Sequence, residues 1–95
     1  MLSNYGKIKL VNFIMKYLDN FGKTTYEREV IDGIEFALFI GSESVELHMD
    51  INGTKLMGGE LMLHQCEWMT TLAIAYELVD TAEYRLQEYA MKKGA

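Results

Sequence analysis

A chain of 95 residues, 49% of them hydrophobic and 24% charged, is long enough for one core and too evenly apolar for disorder, so a single α+β domain over residues 1–95 is expected. The net charge of −5 argues against direct nucleic-acid binding, which relies on clustered Lys and Arg, and no apolar run reaches the roughly 18 residues that suggest a membrane span. The single cysteine, Cys66, cannot form an internal disulfide, and the lysines scattered through the N-terminal apolar stretch do not fit a signal peptide, so the cytoplasm is the expected compartment.

Charge is unevenly spread. Residues 1–23 carry four lysines against Asp19, a net +3; residues 24–67 carry nine acids against Arg28 and Lys55, a net −7; the remainder is close to balance.

In chain order, Ser3 or Asn4 can cap a helix read through Lys7 to Phe21, with Val11, Ile14, Leu18 and Phe21 on one face and Lys9, Asn12, Lys16 and Asn20 on the other. Gly22 can end it in a left-handed conformation. From Lys23 the hydrophobic period falls to 2, and two strands flank Asp32-Gly33. A three-residue loop, Ile31-Asp32-Gly33, would pair Val30 with Ile34 and Arg28 with Phe36. It would gather Tyr26, Val30, Ile34, Phe36, Leu38 and Ile40 on one side and Glu27, Glu29 and Glu35 on the other, so it is expected over the two-residue alternative.

A second hairpin turns at Asn52-Gly53, a strong signal for a two-residue type I′ turn that sets Ile51 against Thr54, Met49 against Leu56 and Asp50 against Lys55. Gly58-Gly59 suggests a bulge, with the strand resuming over Glu60 to Leu63. From Gln65 to Lys92 there is neither Gly nor Pro, and Trp68, Leu72, Ala75, Val79, Ala82, Leu86 and Tyr89 recur in steps of four and three, the pattern of one long amphipathic helix. The expected architecture is αββββα: one antiparallel sheet of about four strands, formed by two β-hairpins, with the N-terminal and the long C-terminal helix packed on one face.

No residue set supports catalysis, a metal or a cofactor. His48, His64 and Cys66 lack zinc-ligand spacing, and His64 lies two positions from Cys66, which turns the side chains apart on a helix. Gly58-Gly59 has no Lys-Ser/Thr after it and is no phosphate loop. The constellation that remains is the sheet face away from the helices, where Glu27, Glu29, Glu35, Glu46 and Asp50 would ring Phe39, His48 and Met57. Such a face is either solvated or meets a protein partner with a basic surface.

The expected function is therefore a non-enzymatic protein-binding module. Its small size and acidity suit an inhibitor of the kind phages and mobile elements direct against host nucleic-acid-handling systems, in anti-CRISPR or anti-restriction style. Two alternatives stand beside it. One is a homodimeric structural or assembly subunit joined through Ala82, Leu86 and Tyr89, because a helix of about 28 residues outreaches a strand of about seven. The other is a small-ligand module with a pocket between helix and sheet marked by Tyr26, Trp68 and Tyr76.

Overall fold

A computed structural model describes residues 2–19 and 23–94. The order is α1 (Asn4–Leu18), β1 (Thr25–Ile31), β2 (Ile34–Ile40), β3 (Ser44–Ile51), β4 (Thr54–Met62), a short α2 (Leu63–Cys66) and α3 (Thr71–Gly94). The four strands form one antiparallel sheet in sequence order, β1-β2-β3-β4, with both long helices on one face, as the hydrophobic pattern implies.

Helix α1 begins where the sequence allows it. Ser3 is the N-cap, its hydroxyl accepting from the Gly6 N–H at 2.9 Å, and Leu10, Val11, Phe13, Ile14 and Leu18 are buried while Lys9, Asn12 and Lys16 are exposed. The expected helical positions Asn20 and Phe21 and the expected stop at Gly22 lie outside the described residues.

The second hairpin has the anticipated register. Asn52 and Gly53 both have positive φ, 50° and 88°, and Asp50 faces Lys55. Leu47 pairs with Gly59 and His48 with Met57, so Gly58 is the extra residue of a bulge. These glycines also let α3 approach closely. A Cβ on Gly58 would sit 3.0 Å from the Leu47 carbonyl oxygen and 3.4 Å from the Ala82 Cβ, and one on Gly59 3.3 Å from Leu78 Cδ2.

The first hairpin does not follow the expected register. Its loop has two residues, Asp32 at φ 54° and Gly33 at φ 78°, so that Ile31 pairs with Ile34, Val30 with Glu35 and Glu29 with Phe36. A type I′ turn needs positive φ at both central residues, and Asp tolerates it. Ile31 is accordingly the buried residue, at 3% exposure, while Val30 is 63% exposed on the opposite face.

The long helical segment is also shorter than read. The chain leaves α2 after Cys66 and restarts at Thr71, with the Thr70 hydroxyl accepting from the Ala73 N–H at 3.1 Å as an N-cap. Trp68, in the link, is 90% exposed rather than part of the apolar stripe. The stripe itself, through Ala75, Val79, Ala82 and Leu86, is buried against β4 and α1. Ala82 and Leu86 are thus consumed by the chain's own core and Tyr89 is half-buried, which removes the reason for a dimer along this stripe.

Candidate functional site

Pleat alternation decides what the sheet shows on the side away from the helices. Val45, Leu47 and Met49 point into the core, so Ser44, Glu46, His48 and Asp50 point out. On β2 the same rule sends Glu35, Ala37 and Phe39 outward. The observed register of β1 adds Tyr26, Arg28 and Val30, and that of β4 adds Lys55, Met57, Glu60 and Met62.

Glu27 and Glu29 are therefore not on this face. They pair with Leu38 and Phe36 and lie on the helix side, where the edge strand runs past the apolar stripe of α1 to its polar flank; Glu29 shares a groove there with Lys9 and Lys16. The expectation that acid and oil separate cleanly on β1 fails because an edge strand need not bury its inward face. Of the anticipated set, the structure brings together Glu35, Phe39, Glu46, His48, Asp50 and Met57. Members not foreseen are Arg28, Lys55 and Glu60; the first follows from the two-residue loop, and Glu60 from counting the Gly58 bulge.

Three rows cross the sheet. Val30, Glu35, Asp50 and Lys55 form the first, Arg28, Ala37, His48 and Met57 the second, and Tyr26, Phe39, Glu46 and Glu60 the third. The methyl side chain of Ala37 sits among larger neighbours and leaves a depression of about 230 Å³ walled by Tyr26, Phe39, His48, Arg28, Glu35 and Asp50. Its aromatic wall is ordered: the Tyr26 and Phe39 rings lie 4.4 Å apart, and Phe39 meets the His48 ring edge-on at 4.9 Å. Tyr26 is 48% and Phe39 38% exposed.

The charges are only partly matched. Arg28 pairs with Glu35. Glu46 accepts from the His48 ring Nε2 at 3.0 Å and from the Ser44 hydroxyl at 3.3 Å, which fixes its carboxylate beside Phe39. Directly across the ladder stands Glu60, so two carboxylates face each other, an arrangement that is unfavourable until a cation joins it.

The aromatics expected to mark a helix–sheet pocket do not converge: Tyr26 is on the outer face, and Trp68 and Tyr76 are both exposed. Among the described residues, no group of three or more His, Cys, Asp or Glu is placed to hold a metal ion. Cys66 is buried, and burial pushes its thiol up, the opposite of the shift that activates a nucleophile. No helix among the described residues is long and apolar enough to cross a membrane. Compared with protein-family models, curated proteins and solved structures, the chain matches none of them.

Proposed function

We propose that the chain is a non-enzymatic protein-binding module that uses the uncovered sheet face to engage a basic surface. The observation carrying this reading is the depression over Ala37, where aromatic rings and carboxylates line one concavity. An Arg or Lys side chain entering it would meet the faces of Tyr26 and Phe39 and the carboxylates of Glu35 and Asp50, while a second cation could neutralise the opposed pair Glu46 and Glu60. Exposed aromatics surrounded by polar groups are the composition of interface hot spots.

The partner class we propose is a nucleic-acid-handling protein of a host cell, in the cytoplasm, whose phosphate-binding groove this face occludes in the manner of a phage- or mobile-element-encoded inhibitor. The mechanism is occupation: complementary potential raises the association rate, and the aromatic depression supplies residence time.

Quantitative affinity capture from the native host, with wild type and a Glu46→Lys, Glu60→Lys double variant as baits, tests the reading. A protein enriched by wild type and lost from the variant supports it. A set of captured proteins identical for both baits contradicts it.

A further inference from the structure

The lysines that make residues 1–23 positive belong mainly to α1, and two of them border a groove the outer face does not use. Between α1 and β1 runs a cleft of about 310 Å³ lined by Lys9, Asn12, Phe13, Lys16, Tyr17, Arg28 and Glu29. We infer that this cleft and the open edge of β1 form a second binding site, which takes an extended acidic peptide as a fifth strand of the sheet.

The backbone argument comes first. β1 is an edge of the sheet. Ile31 and Ile34 close a two-residue hairpin as a hydrogen-bonded pair, so Thr25, Glu27 and Glu29 spend their N–H and C=O groups on β2. Tyr26, Arg28 and Val30 direct theirs to the open side. Strand addition at such an edge derives affinity from main-chain hydrogen bonds and specificity from alternate side chains.

Charge selects the occupant. Three cations surround the cleft against the single carboxylate of Glu29, and among the described residues neither Lys9 nor Lys16 is ion-paired. Lys9 and Lys16 are seven residues apart on one helix, about 10.5 Å along its axis, a span of about three strand residues. A peptide with carboxylates at alternate positions can therefore reach both while its backbone pairs with β1.

A second copy of this chain is a poor occupant. Antiparallel self-pairing centred on Arg28 sets arginine against arginine and Glu27 against Glu29, and a shift of one residue either way sets Glu27 or Glu29 against itself.

The test uses a fluorescent heptapeptide of alternating Val and Glu, its Val and Lys counterpart, and the ¹⁵N-labelled full chain. The acidic peptide is expected to bind below about 1 mM, to shift the amide signals of Tyr26, Arg28 and Val30, and to bind at least about tenfold more tightly than the lysine peptide. Lys9→Glu with Lys16→Glu, both exposed positions that leave the fold intact, should cost about tenfold or more. Val30→Pro removes an edge-directed N–H without touching the β1–β2 ladder and should weaken binding to a similar degree. Equal binding of the two peptides, shifts confined to the outer sheet face, unchanged affinity in the lysine variant, or no binding at about 1 mM would each overturn the assignment.

Discussion

Asp32 Oδ2 accepts two hydrogen bonds from Ser3, one from the backbone N–H at 2.8 Å and one from the hydroxyl at 2.9 Å, and so fastens the start of α1 to the β1–β2 turn. The Ser3 backbone N–H first and its hydroxyl second hold the Asp32 carboxyl below its ordinary value of 3.8. A carboxylate whose pKa is depressed by folding stabilises the native state above the unfolded pKa and loses that contribution as pH falls through the folded one. The difference in melting temperature between wild type and Asp32→Asn should therefore be constant above about pH 5 and shrink as pH falls below 3.8. A difference that persists unchanged to about pH 2 would show that the Asp32 charge does not bear on the contact.

The same contact reverses the usual sign of a helix substitution. Gly→Ala within a helix ordinarily stabilises by up to about 1 kcal/mol, but a Cβ on Gly6 would lie 2.1 Å from Asp32 Oδ2. Gly6→Ala should lower the melting temperature in the wild type and raise it in an Asp32→Gly background, where the obstructing carboxylate is gone. Thermal denaturation of the four proteins decides; a stabilising Gly6→Ala in the wild type contradicts the geometry.

Both hairpins rest on glycine at positive φ, Gly33 at 78° and Gly53 at 88°. Val at either position should destabilise by more than about 1 kcal/mol, since β-branched side chains are strained there whatever the free space. Urea denaturation measures it, and an unchanged midpoint at Gly33 would restore the three-residue loop.

The two turns show what was legible in the sequence and what was not. Asn52-Gly53 gave its register directly because the local turn signal and the apolar alternation agree. Around Asp32-Gly33 they conflict: the turn dipeptide asks for a two-residue loop, and burying Val30 asks for three. The turn chemistry prevails because β1 is an edge strand, whose inward face needs no oil where α1 presents Lys9 and Lys16. The error then carried Glu27 and Glu29 onto the wrong face. In the last third of the chain, the absence of Gly and Pro hid a helix break made by a cap, Thr70, whose signal is a single hydroxyl residue.

Leu86 was read as an interface residue from the length of the helix alone, yet it is 2% exposed within one chain. Leu86→Ala should destabilise by about 2–5 kcal/mol, the cost of a core truncation. The melting temperatures of wild type and variant should both be independent of protein concentration. A loss that diminishes at higher concentration would reinstate the dimer.

The central claim is that the concavity over Ala37 takes a basic side chain of a protein partner, and it is tested most directly by isothermal titration of the captured partner with wild type, Phe39→Ala and Tyr84→Ala. Phe39 is partly exposed and stacks on Tyr26 and His48, whereas Tyr84 is exposed on α3, away from the sheet. Removing the aromatic wall should weaken binding by about 30-fold or more, the loss of a hot-spot contact of about 2 kcal/mol, while Tyr84→Ala leaves the affinity unchanged. Equal affinity of wild type and Phe39→Ala, with both variants folded, would contradict the account.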